Sequence, residues 1–263
     1  MEMGLQAKVA AVAGASRGLG RAVAEGLAAE GCHLAICSRD QKAISAAAQE
    51  IAAAHGVEVF PQAVDLAQAG AAHGFVESAC AHFGRLEILV TNNGGPPAGA
   101  FADFSEEDWL AAVRLTLLPA QAMARAAIPA MRRAGWGRIV NLTSISVRQP
   151  LPGLMLSNSI RAAVVGWAKS LADELAPHGI TVNNVMPGWI HTERVEELLR
   201  YRARTQNTTP EEARAAIEQT IPLRRLGRPE ELAHLVVFLA SERASYITGA
   251  SYWIDGGLYR GLM

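Results

Sequence analysis

Between an apolar run, residues 8–14, and a stretch of helical period, residues 19–30, stands Gly14-Ala15-Ser16-Arg17-Gly18-Leu19-Gly20. Glycine at the first, fifth and seventh positions supplies a tight turn, room for a ligand backbone and close packing of helix on strand. A helix that starts there points unpaired N–H groups and the positive end of its dipole at whatever the turn holds, which suits a pyrophosphate. Glycine also marks plain turns; the strand–turn–helix setting is what favours a dinucleotide. A second apolar run ends in Ser38-Arg39-Asp40, with no acid at its very end for a free ribose 2′-hydroxyl. Arg39, with Arg17 from the glycine turn, would clamp a 2′-phosphate instead. The expected cofactor is therefore NADP(H) in preference to NAD(H).

The elements that must position these residues follow a regular rhythm. Strands are expected at 8–14, 32–38, 57–64, 86–91, 138–143, 180–185 and 251–254, and helices at 19–30, through the alanine-rich segment ending near His55, and at 71–83. Runs that are apolar on both alternating faces suit strands covered on each side. Strict βαβ alternation predicts an α/β fold, a Rossmann-like doubly wound parallel sheet of about seven strands with helices on both faces. No linker, charge block or repeat divides the chain, so residues 1–263 read as one dinucleotide-binding domain. Residues 194–221 are more polar, and Asn207-Thr208-Thr209-Pro210 reads as a turn into a capped helix. This excursion is either a substrate lid or a solvated helical hairpin.

The composition is compatible with a folded enzyme and excludes several other classes. Of the 263 residues 50% are hydrophobic and 19% charged, with a formal net charge of −1. A chain this long can bury roughly three-quarters of its unfolded surface, and this balance argues against disorder. Neither a basic stripe nor an aromatic stacking platform points to nucleic acid. No apolar run is long enough to span a bilayer and no secretory signal is evident, so a cytoplasmic location is expected. Three cysteines, Cys32, Cys37 and Cys80, make no disulfide framework, and no paired Cys/His spacing suggests a metal. Cys32 and Cys37 are expected as buried thiols on opposite faces of a strand.

Three signatures in order, Gly14-x3-Gly18-x-Gly20, Asn92-Asn93-Gly94-Gly95 and Pro187-Gly188-x3-Thr192, resemble those of the short-chain dehydrogenase/reductase family. Residues 135–144 (GWGRIVNLTS), 171–183 (LADELAPHGITVN) and 254–257 (IDGG) are similar as well, so the likeness spans nearly the whole chain. In style the chain is most similar to bacterial 3-oxoacyl-(acyl carrier protein) reductase-like members. The resemblance implies that Gly14, Ser16, Arg17, Gly18 and Leu19 line the pyrophosphate and ribose, and that Ser38 and Arg39 meet the 2′-phosphate. It places Asp65 and Leu66 at the adenine, Asn92, Asn93 and Gly94 at the inner ribose, and Pro187, Gly188, Ile190 and Thr192 at the nicotinamide amide. Ser144 matches the family's catalytic serine. Self-association as a tetramer or dimer is implied too, through helices at 106–133 and 153–177.

The chain departs from the family where proton transfer occurs. Counted from Ser144, the positions of the family's Tyr and Lys fall on Ser157 and Arg161, and the relay asparagine falls near Thr116. The only tyrosines are Tyr201, Tyr246, Tyr252 and Tyr259. A serine hydroxyl is far less acidic than a phenol, and a guanidinium barely titrates. His191, in the loop expected beside the nicotinamide, is a candidate general acid; so is Tyr201, and Arg148 is a candidate anchor for an anionic substrate. The leading expectation is an NADP(H)-dependent oxidoreductase acting on a small-molecule carbonyl or alcohol, 3-oxoacyl-thioester reductase-like, with Ser144, Ser157, Arg161 and His191 at an atypical catalytic site. The rival is an NADP(H)-binding protein without turnover, a sensor or assembly subunit.

Overall fold

The computed structural model describes residues 2–262. Its seven strands are β1 (Val9–Ala13), β2 (His33–Ser38), β3 (Val59–Ala63), β4 (Ile88–Thr91), β5 (Gly137–Leu142), β6 (Ile180–Pro187) and β7 (Ser251–Ile254). They form one sheet in the order β3-β2-β1-β4-β5-β6-β7, with every neighbouring pair parallel. Helices α1 (Gly18–Ala29), α2 (Gln41–His55), α3 (Ala71–Phe83), α4 (Glu106–Ala134) and α5 (Met155–Leu175) connect successive strands. The remaining helices are α6 (Glu193–Gln206), α7 (Pro210–Thr220) and α8 (Pro229–Ala240). This is the expected Rossmann-like architecture. The strand order reverses between β1 and β4, which opens a crevice beyond their carboxyl ends, where such sheets bind ligands.

Boundaries differ from expectation at strand ends. β3 starts at Val59 rather than 57, and it tolerates Pro61 because it is an edge strand paired only with β2. β6 runs on to Pro187, pairing with β7.

Two apolar layers sandwich the sheet. On one side Val12, Ile36 and Val90 pack with Val23 and Leu27 of α1, Ile44 and Ile51 of α2 and Val236 of α8. On the other, Ala11, Ala35, Leu89 and Ile139 meet Phe75 of α3, Met123 of α4 and Leu175 of α5. Cys32 lies in the first layer and Cys37 in the second, and burial pushes both thiols up to about 12. They are inert packing groups.

A row of polar side chains interrupts this apolar sheet. Thr91, Asn141, Asn184 and Ser251 are register partners on β4, β5, β6 and β7. Thr91 donates to Asn141 Oδ1 at 2.7 Å, Asn141 to Asn184 Oδ1 at 3.1 Å, and Asn184 to Ser251 Oγ at 3.0 Å. Such a satisfied buried chain favours one register, because a slip would leave each amide unpaired in a low-dielectric interior. It ties β4, β5, β6 and β7 together across the sheet.

The polar excursion folds as two helices. Thr209 and Glu212 form a capping box at the start of α7, with Pro210 in its first turn, as the sequence suggests. Val195, Leu199 and Ala203 of α6 pack with Ala213 and Ile217 of α7 and with Ile145. α6 and α7 thus have a small apolar core of their own at the edge of the crevice.

Candidate active site

The glycine turn is built as its spacing requires. Gly14 and Gly18 have φ of 62° and 59°, which L side chains disfavour. A Cβ on Gly20 would lie 2.2 Å from the Gly14 carbonyl oxygen and 2.8 Å from Asn92 Nδ2. No side chain caps α1, and no acid sits in its first turn. Its leading N–H groups therefore face the crevice free to meet an anion. Asn92 Nδ2 donates to the carbonyls of Ala13 and Gly14, at 3.3 and 3.4 Å, tying the loop after β4 to the turn after β1.

At the outer end, Asp40 is committed to capping α2, accepting from the N–H groups of Lys42 and Ala43 at 2.9 and 3.1 Å. Beside it Arg39 is exposed, and among the described residues no carboxylate pairs with it. Arg17, also exposed, forms an ion pair with Glu193 of α6. Asp65 accepts from the Ala67 N–H at 3.1 Å, which shapes the loop beyond β3.

The inner end lies between β5, α5 and α6. Ser144 Oγ accepts from the Ser146 N–H at 3.1 Å. Ser157, in the first turn of α5, is buried, and its Oγ accepts from Arg161 Nε at 3.3 Å. Arg161 Nη1 donates to the carbonyls of Leu142 and Thr143, both at 3.1 Å, at the end of β5. Among the described residues no carboxylate pairs with Arg161. Burial, and secondarily the charge of Arg194, push its guanidinium down to about 10, so it remains cationic at neutral pH. Arg194, on the first turn of α6, donates to the Pro96 carbonyl at 2.7 Å and pairs with Glu197 at 3.2 Å.

One cleft of about 690 Å³ joins these ends. The glycine-turn residues Gly14, Ser16, Arg17, Gly18 and Leu19 line it, as do Ser38, Arg39, Asp65 and Leu66. So do Asn92, Asn93 and Gly94, with Pro187, Gly188, Ile190 and Thr192. Ser144, Ser157 and Arg161 share its inner wall. The positive-φ turn, the uncapped helix start and the free Arg39 fit a phosphorylated dinucleotide.

Three candidates stand apart from this lining. His191 is exposed and faces Glu196, with 3.2 Å between Nε2 and Oε1. Tyr201 lies against Gly153, and among the described residues no tyrosine lines the cleft. Arg148 is exposed beyond the lining. Thr116 lies behind the wall, beside a small polar hole of about 10 Å³ that Asn93 and Arg161 also line. The Thr192 hydroxyl caps α6, accepting from the Val195 N–H at 3.4 Å.

Sequence reasoning did not mark Leu115 and Glu193, and marked Arg194 and Leu198 only as part of the 194–221 excursion; all four also line the cleft. The readable signal for the α6 residues was Thr192 followed by acids at 193 and 196, a helix start directly after the expected nicotinamide loop. For Leu115 there was none.

The comparisons with known proteins agree with this geometry. The family model described as Enoyl-(Acyl carrier protein) reductase matches residues 14–259. The 3-oxoacyl-[acyl-carrier-protein] reductase of Aquifex aeolicus is 34% identical over 259 residues, 98% of this chain and 100% of that one. The L-sorbose reductase of Gluconobacter frateurii, solved with NADPH and L-sorbose, superposes with a TM-score of 0.94 at 34% identity, covering 100% of both chains. A 3-oxoacyl (acyl-carrier-protein) reductase of Agrobacterium tumefaciens with NADP bound gives 0.88 at 30% identity, over 97% of this chain and 96% of that one. No helix among the described residues is long and apolar enough to cross a membrane. Glycine turn, switch-point cleft and relatedness along the whole length converge: the chain belongs to the short-chain dehydrogenase/reductase family of oxidoreductases.

Proposed function

We propose that this protein is an NADP(H)-dependent oxidoreductase that moves hydride between nicotinamide and a carbonyl or alcohol, with 3-oxoacyl thioesters the first substrate class to test. The observation that carries the reading is a single cleft with the glycine turn and Arg39 at one end and Ser144, Ser157 and Arg161 at the other. Arg17 and Arg39 would hold the 2′-phosphate. The bound nicotinamide would supply or accept the hydride. Ser144 and Ser157 would hydrogen-bond the substrate oxygen, while Arg161 would stay charged and stabilise the negative charge that develops there. Ser157 stands at the position of the family's Tyr and Arg161 at that of its Lys, so neither delivers a proton readily and water completes the transfer. α6 and α7 act as the lid, with Arg194 reaching across to the loop after β4. The whole chain is read as one cytoplasmic dinucleotide-binding unit that pairs through α4 and α5, where Leu110 and Leu118 of α4 are exposed.

The test is NADPH oxidation by the purified protein against a panel of 3-oxoacyl thioesters, ketoses and simple ketones. Saturable NADPH binding with no turnover on any of them would leave the rival, a sensor or assembly subunit, which is favoured by the lack of a tyrosine in the lining.

Two further outcomes follow from the charges. Arg39→Ala is expected to weaken NADPH binding roughly tenfold or more, the worth of a charge-assisted contact, and to leave NADH affinity unchanged; calorimetric titration with both cofactors checks it. The pH dependence reports on Arg161. Its proton is held below about 10 and lost above, so a rate that depends on the cation stays level through neutral pH and falls as pH rises through that value. A fall centred near neutrality would instead show that a group other than Arg161 controls the rate.

A further inference from the structure

α4 carries a proline in its middle, and the cleft makes use of it. Pro119 is buried, has no N–H, and its ring crowds the carbonyl four residues back, that of Leu115. That carbonyl cannot take its in-helix bond. Asn93, from the loop after β4, supplies the missing donor: its Nδ2 lies 2.9 Å from the Leu115 oxygen. A carbonyl only accepts, so the amide must present its NH2 group to the helix, and this fixes which way the side chain is turned. Its Oδ1 is buried without a protein partner, as is Thr116 Oγ1, and both residues line the polar hole beside Arg161. Asn93 and Leu115 also line the cleft itself. The second proline of α4, Pro129, is exposed, and among the described residues no side chain bonds to the Arg125 carbonyl it frees.

We infer that Pro119 is a positioning residue for the dinucleotide. Its ring frees the Leu115 carbonyl to hold Asn93, and through Asn93 it sets the loop of Asn92, Asn93 and Gly94 against the cofactor's inner ribose. The inference rests on the NADP(H) reading above. It separates two properties that a merely structural proline would move together. Pro119→Ala restores the helix N–H and suits the helix interior far better, so the melting temperature should hold or rise. The Leu115 carbonyl returns to the helix ladder, Asn93 loses its anchor, and the Kd for NADPH should rise about fivefold, the worth of one hydrogen bond.

The experiment is a double-mutant cycle read by NADPH titration and thermal melting. Pro119→Ala should weaken binding in the parent chain but not in an Asn93→Ala background, and Pro129→Ala, whose melting temperature should also hold or rise, should leave NADPH affinity unchanged. Equal NADPH affinity of the parent and Pro119→Ala overturns the inference. So does a loss that persists undiminished without the Asn93 side chain, or an equal loss in Pro129→Ala. A parent chain that takes up no NADPH overturns the cofactor reading and this inference with it, whereas equal affinities overturn this one alone.

Discussion

Replacing Ser157 by Tyr and Arg161 by Lys together is expected to raise the rate of carbonyl reduction by roughly 10²–10⁴, the usual contribution of a positioned general acid. The side chain at 157 projects from the first turn of α5 into the cleft wall shared with Ser144. A phenol there has an ordinary pKa of about 10, which an ammonium one helical turn away lowers toward the working range. A lysine at 161 keeps a positive charge and offers several donors to the Leu142 and Thr143 carbonyls that the guanidinium now engages. Single substitutions should gain much less, since each supplies only half of the acid. Steady-state kcat on the best substrate of the panel checks the result, and a new acid-dependent limb in the pH profile should accompany it. A double variant that binds NADPH normally yet gains nothing would show that this cleft does not present a carbonyl oxygen to position 157.

Arg161→Met in the parent chain is expected to lower kcat by about 10²–10³, the loss seen when one oxyanion donor is removed. The substitution keeps much of the side chain's length and apolar body. It removes a cation that has no carboxylate partner among the described residues and that donates to Ser157 Oγ and to two strand-end carbonyls. Those carbonyls lose a donor, so a stability cost of about 1–3 kcal/mol is also expected; thermal melting separates it from the kinetic effect. Single-turnover NADPH oxidation is the decisive readout. A variant with unchanged kcat would mean that Arg161 serves the packing of α5 on β5 and does not face the reacting oxygen.

Legibility differed between the two ends of the cleft. At the glycine-turn end the requirements are local: a left-handed turn at Gly14 and an uncapped helix start at Gly18 are each set within residues 14–20, and the absence of an acid before Arg39 is read at the end of β2. Expectations for the Thr209–Glu212 capping box and for the opposite faces of Cys32 and Cys37 rested on equally short-range rules. The inner end, around Ser144, Ser157 and Arg161, was legible only as a list of residue types. Ser144 and Ser157 lie on different elements, and spacing alone could not show that Arg161 spans back to β5, or that His191 turns outward to Glu196.

By itself, the sequence determined the order and kind of the elements and the glycine turn, because periodicity, capping and turn chemistry are set by near neighbours along the chain. The tertiary structure alone decided the polar row Thr91–Asn141–Asn184–Ser251, the reach of Arg194 over the cleft and the grip of Leu115 on Asn93. Each of these joins groups from different elements, and which donor meets which acceptor is fixed only when strand register and helix packing bring them within a hydrogen bond's length.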